Sequence, residues 1–267
     1  MKDEYRELLS KDRYYFDDLV YIMSRLRSKG GCPWDIEQTH ESIRANFIEE
    51  TYEAIDAIDR KDMPALREEL GDVLMQVVFH ARMEEELGSF NIDDVCDEVC
   101  KKLIVRHPHV FGDVTASDSA QVLTNWEIIK NQTKGIKKQS ESLAAVPSVF
   151  PALMRAQKIQ SRAAKVGFDF DSVFGALDKL IEEIEELKKA ISDKSNIREE
   201  LGDVLFSAVN VSRLCKEDAE EALFFSNEKF ISRFKTMEEL ASERGINLKD
   251  ADISLMDKLW EEAKAVM

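Results

Sequence analysis

Apolar residues recur at helical spacing along most of the chain. Phe16, Leu19, Val20, Met23 and Leu26 lie three or four positions apart, the period of a helix that buries one face. This predicts a first helix over residues 12–28, broken by the two glycines and the proline of "KGGCPWD". A second helix is predicted over 41–60, closed by "RKDMP". Asp62 and Pro64 are start signals for a third reaching residue 87, where "LGSFN" supplies a glycine stop. A fourth spans 92–106 and ends at "HPHVFGD", and a further one surrounds Trp126. The stretch "NQTKGIKKQSESLAAVPSVFP" over 131–151 has no clear period and reads as a linker. Beyond it the order recurs: a helix over 178–191, the polar break "SDKSN", and helices over 197–216 and 220–244. A last helix lies near Trp260. Asn196 and Glu199 have the spacing of a capping box for the 197–216 helix. The chain is therefore expected to be all-α, with domains at 1–135 and 153–267 joined by a linker at 136–152.

The two halves share words as well as order. "REELGDVL" begins at Arg67 and again at Arg198. Upstream of each stands EExxE, as Glu49, Glu50 and Glu53 and as Glu182, Glu183 and Glu186. Downstream, Lys102 and Arg106 correspond to Lys229 and Arg233, and WExxK occurs at Trp126 and at Trp260. Four features in one order argue for two copies of a single helical domain.

Composition narrows the class. The chain of 267 residues is 44% hydrophobic and 34% charged with only 10 Gly and 5 Pro, which suits long amphipathic helices and disfavours sheets rich in tight turns. Its net charge of −16 lacks the basic footprint of a nucleic-acid or anionic-membrane binder. No apolar leader opens the sequence and no apolar run is long enough to span a bilayer, so a cytoplasmic protein is expected. The four cysteines show no CxxC spacing. Cys96 and Cys100 stand i, i+4 ahead of His107 and His109 and could hold a metal, but the expected role of such cysteines is that of small buried hydrophobes.

The carboxylates carry the chemistry. Residues three apart share a helix face, so Glu50 with Glu53 and Glu69 with Asp72 each point together. They border the stripes of Phe47, Ile55 and Ile58 and of Leu66, Leu70 and Leu74. If the two helices pack as an antiparallel hairpin, four acids converge, and like charges about 4 Å apart repel by about 4 kcal/mol at an effective dielectric near 20. Oxygen donors without His or Cys suit hard ions, Mg²⁺ or in its place Mn²⁺, and Mg²⁺ commonly bridges carboxylates to phosphates. Solvated acidic faces are the plain alternative, and duplication of the whole pattern weighs against it. The glycine of ELGD costs about 1 kcal/mol inside a helix relative to Ala, which suggests a close helix approach. Lys179 stands four before Glu183, where the first half has Asn46.

Taken together, these motifs with "GCPWDIEQTH", "RHPHVFGD" and "PALMRAQKIQSRAAKVGFD" resemble the MazG-type nucleoside triphosphate pyrophosphohydrolases, in the long form with two tandem MazG domains. The resemblance implies a four-helix-bundle-like site completed by homodimerisation, and Mg²⁺-dependent hydrolysis of NTP or dNTP to NMP and pyrophosphate by a metal-activated water. It implies metal ligation by Glu183, Glu186, Glu200 and Asp203, and in the first half by Glu50, Glu53, Glu69 and Asp72. It implies nucleotide contact by Lys179, by Asn196, Ile197, Arg198 and Glu199, by Asp203, and by Lys229, Arg233 and Trp260. The main activity is expected in the C-terminal domain. Neither nucleic acid nor membrane is an expected partner. Rival readings are a narrower dUTP, dCTP or phosphoribosyl-ATP pyrophosphatase and a non-catalytic nucleotide-binding or regulatory protein. A di-iron bundle would need ExxH in place of the acid pairs, and neither pair has His at its fourth position.

Overall fold

The computed structural model describes residues 5–133 and 138–266. Among them are fourteen helices and no strand. The chain divides into two units, the first ending at Ile129 and the second beginning at Lys130. The expected linker of 136–152 begins outside the described residues.

The first unit contains α1 (Arg6–Leu9), α2 (Phe16–Leu26), α3 (Pro33–Glu37), α4 (Arg44–Asp59), α5 (Met63–Leu87), α6 (Ile92–Arg106), α7 (Pro108–Phe111) and most of α8 (Ser119–Thr133). Helices α4 and α5 form a hairpin, and α2 packs on α5. Local chemistry sets the boundaries. The Asp62 carboxylate accepts the Ala65 N–H at 3.1 Å to cap α5, and Gly88 ends it at φ +71°. Asn91 and Asp94 form a reciprocal capping box at the start of α6. The core lies behind the hairpin, where Met23 and Ile43 meet Val78, Phe79 and Met83.

The second unit contains α9 (Gln139–Ala144), α10 (Ala152–Ala164), α11 (Val173–Asp193), α12 (Ile197–Leu214), α13 (Ala219–Glu243) and α14 (Ile253–Val266). Helices α11 and α12 form the equivalent hairpin, α10 packs on α12, and α13 pairs with α14. Gln157 ties α10 to the start of α13, donating to the Glu217 carbonyl at 3.1 Å and accepting from the Ala219 N–H at 2.9 Å. The core sits elsewhere than in the first unit: Met237 and Ala241 of α13 close on Leu259 and Ala263 of α14.

Four expectations need correction. Asn196 does precede α12, but at φ +51° and with no side-chain cap. A capping box needs an extended N-cap backbone, which this left-handed turn does not provide. Leu70 and Leu74 are exposed rather than buried, as are Ile55 and Ile58, and the hairpin instead buries Ala54 and Ala57. Gly71 and Gly202 mark no close approach, since a Cβ at either would meet nothing within 4 Å. Cys96 and Cys100 are exposed on α6 rather than buried, and no metal-competent group among the described residues includes them.

Candidate active site

The second hairpin carries its acids where the helices face each other. Glu183 and Glu186 come from α11, and Glu200 and Asp203 from α12. One oxygen each of Glu183, Glu186 and Glu200 lies within 4.8 Å of the others. Burial, then the charges of Glu186 and Asp203, push the Glu200 carboxyl above its ordinary range. Glu183 is buried, and Lys179 reaches it at 2.8 Å while also touching Glu182 at 2.8 Å. Hydrogen bonds to Glu182 and Glu183 hold the Lys179 ammonium well above its usual range, so it stays charged.

The first hairpin repeats the cluster. Oxygens of Glu50, Glu69 and Asp72 converge within 4.8 Å. Glu53 is close enough to hydrogen-bond Glu69. Burial raises the Glu50 carboxyl, followed by repulsion from Asp72, Glu53 and Glu69, and burial followed by Glu53 raises Glu69. No lysine occupies the position of Lys179; Asn46 stands there. Beside this cluster the end of "GCPWDIEQTH" is fastened to α5: His40 stacks on His80 with centroids 4.9 Å apart and meets Glu84 at 2.7 Å.

The other expected residues are distributed differently. Asn196, Ile197, Arg198 and Glu199 form the exposed entry into α12, one turn or less before Glu200. Lys229 and Arg233 lie on α13, and the buried Arg233 Nε has no partner among the described residues. Trp260 packs on Phe230 at 5.1 Å between centroids and joins the α13–α14 core. None of these residues lines the cavity that lies beside the acids.

That cavity, of about 580 Å³, opens between α10, α11 and α12. Lys179, Glu183 and Asp203 stand on its wall, together with Gln160, Ser207 and Asn210. These last three were not singled out by motif spacing. The signal was available within "PALMRAQKIQSRAAKVGFD", whose Gln160 takes a place that Met23 takes in the first unit. Ser-Arg follows each of the two, and each run ends at a glycine with φ of +83° or +82°, Gly30 and Gly167.

Two like helical units, each with four acids on a hairpin, define a class of tandem all-α proteins with a carboxylate site in each repeat. The MazG nucleotide pyrophosphohydrolase domain matches residues 38–111 and 175–238, spanning both hairpins, and the chain belongs to that family. It is 46% identical over 253 residues to a nucleoside triphosphate pyrophosphohydrolase of Escherichia coli strain K12, covering 93% of this chain and 96% of the relative. It is 48% identical over 249 residues to the nucleoside triphosphate pyrophosphohydrolase/pyrophosphatase MazG of Thermotoga maritima, covering 93% and 95%. An uncharacterized protein of Bacillus subtilis, YabN, is 47% identical over 252 residues, which is 93% of this chain and 51% of that protein.

Proposed function

We propose that the protein hydrolyses nucleoside triphosphates to the monophosphate and pyrophosphate, chiefly at the second unit. The observation that carries this reading is the joining, in that unit, of three converging carboxylates with Asp203 on the same hairpin, a charged lysine and a cavity of small-ligand size. The names of the two full-length relatives support the same reaction.

The donor set fits a hard divalent cation. Its atoms are all carboxylate oxygens, those of Glu183, Glu186 and Glu200 converge within 4.8 Å, and burial, with repulsion from Glu186 and Asp203 after it, already pushes Glu200 toward protonation. Glu183, Glu186, Glu200 and Asp203 would hold Mg²⁺, with Mn²⁺ as a substitute. When bound there, the ion supplies neutralisation of triphosphate charge and acidifies water. The chain's own residues do the rest. Lys179 presents a fixed positive charge at the cavity wall for a phosphate oxygen. The entry to α12, Asn196 to Glu199, offers helix N-terminal N–H groups to anionic oxygens. Lys229 and Arg233 add outer cationic contacts from α13, and Trp260 a nucleotide contact from α14. A carboxylate among the four takes the proton of the attacking water.

The first unit's Glu50, Glu53, Glu69 and Asp72 form a second metal site with lower turnover. We further propose a homodimer: Ile181, Leu201 and Leu205 on the second hairpin and Ile48, Leu70 and Leu74 on the first are exposed apolar side chains that a second copy would cover. Among the described residues no helix is long and apolar enough to cross a membrane.

The test is a pyrophosphate-release assay with an NTP and Mg²⁺. Stoichiometric pyrophosphate and NMP are expected, with loss in Glu200→Gln. Release of orthophosphate alone, or full activity in that variant, refutes the reading.

A further inference from the structure

The cavity beside the acids has a polar wall that phosphate chemistry does not use. Gln160 is only 6% exposed. Its Nε2 donates to the Phe206 carbonyl at 2.8 Å; a carbonyl only accepts, so the amide orientation is fixed. The buried Oε1 is left with no partner. An unmatched buried acceptor costs about 1–3 kcal/mol, and on a residue that lines a cavity it points to a ligand that donates to it.

Opposite polarity is offered by α12. Asn210 Oδ1 accepts from Arg213 Nε at 3.0 Å and Nη2 at 2.7 Å. Arginine only donates, which leaves the Asn210 Nδ2 as the free donor. Arg213 is itself held by Asp169, with Nη1 donating to Oδ2 at 3.0 Å. A chain from carboxylate to guanidinium to amide thus aims one N–H pair, while Ile159, Phe168, Phe170 and Phe206 supply apolar wall.

The first unit closes the same place. Asn210 stands seven residues after Asp203, and Phe79 stands seven after Asp72. Gln160 and Met23 share the register described above. Met23 and Phe79 are packed together in the first core, 2% and 4% exposed. Where one unit has a hydrophobic pair, the other has an acceptor, a donor and space.

We infer that this cavity receives the nucleobase and sugar of the triphosphate, with Gln160 Oε1 accepting from a base N–H and Asn210 Nδ2 donating to the neighbouring base oxygen or ring nitrogen. Gln160 and Asn210 are then the residues that set base preference, and Asp169 and Arg213 are positioning residues for Asn210. The inference rests on the proposed reaction at the second cluster.

The experiment measures pyrophosphate release from ATP, GTP, CTP and UTP with saturating Mg²⁺, and calorimetric binding of the four NMPs, for the full chain and its variants, with circular dichroism as the folding control. Asn210→Phe fills the cavity as Phe79 does in the first unit; KM is expected to rise about tenfold or more for every NTP, as follows from losing roughly 1.4 kcal/mol or more of binding, with NMP binding lost. Gln160→Met, close in size to glutamine, is expected to change the ratio of KM values among the four bases by about three- to tenfold, the range of one hydrogen bond, and it serves alone if Asn210→Phe does not fold. Folded variants with unchanged KM for all four bases and unchanged NMP binding overturn the inference. Glu200→Gln separates this from the reaction itself: it should stop pyrophosphate release while NMP binding persists. If Glu200→Gln keeps full activity, the reaction reading fails; if only the two cavity variants are silent, the nucleobase assignment fails.

Discussion

The two units carry the same eight-residue word and nearly the same acid cluster, yet differ in what stands behind it. In the first, α2 and α5 pack Met23, Phe79 and Met83 against the rear of the hairpin. In the second, the main core has moved to α13 and α14, and the rear of the hairpin holds a cavity walled by Gln160, Ser207 and Asn210. The same carboxylates are thus backed once by packing and once by an open cavity. A motif fixes the ligand atoms, and the residues one or two turns further along the same helix decide whether anything larger than an ion can approach.

The comparison is broken or sharpened most strongly at the acids. Glu200→Gln should lower pyrophosphate release by about 100-fold or more, since losing even an outer-shell support of a metal site commonly costs about 10–100-fold, while Glu69→Gln should change it less than about threefold. Equal losses measured side by side would abolish the division between the units.

Next in size is stability. Phe79→Ala removes a buried aromatic from the first core and should cost about 3–5 kcal/mol, whereas Asn210→Ala at the matching register borders a cavity and should cost less, about 1.5–3 kcal/mol for the hydrogen bonds it accepts from Arg213. Urea denaturation followed by circular dichroism measures both, and similar costs would mean that the second site is packed as the first is.

A smaller effect concerns pH and Mg²⁺. Glu50, Glu69 and Glu200 have carboxyl groups raised above the ordinary 4.5. The metal-free folded chain then binds more protons than the unfolded one between 4.5 and the raised values. Its stability should fall as pH rises through that window. Added Mg²⁺ should raise Tm at neutral pH, and the rise should shrink as pH drops into the same window, as thermal scans at several pH values would reveal.

The smallest effect belongs to the first unit alone. Burial, then the His40 charge, lowers the His80 pKa below the ordinary 6.5. Stability from the neutral ring is present above 6.5 and is lost as pH falls through and below it. In a His80→Phe variant that part of the pH dependence should vanish, as read from urea midpoints at pH 7 and pH 5.5.

Much of this was legible in the amino-acid order because the relevant signals are local. Asn91 and Gly88 punctuate the chain, and the Ile92–Arg106 helix begins and ends where they and "HPHVFGD" require. The acids converge because spacing of three and four is enough to place them on one face. Other features depend on contacts between distant segments. Gln160 and Asn210 lie on different helices, and neither has a motif of its own. Leu70 and Leu74 satisfy the helical period but face outward, since periodicity marks an apolar face without saying what covers it. Asn196 has the composition of a cap, and its left-handed backbone, set by the tight turn from Lys194, prevents the side chain from acting as one. Helices of four to six residues, such as α3 and α9, are too short to show a period at all.

Lys179 has one further consequence. An ammonium tethered to its own helix is a counter-ion whose local concentration does not fall on dilution. In chelator, the second cluster keeps this cation against Glu183, while the first, with Asn46 in that position, has none from that position. Metal entering the second site therefore displaces a resident charge, and metal entering the first does not face that competitor. The repeat proposed as the main catalyst is for that reason the one expected to fill at the higher metal concentration, giving the chain a threshold in one half that the other half lacks.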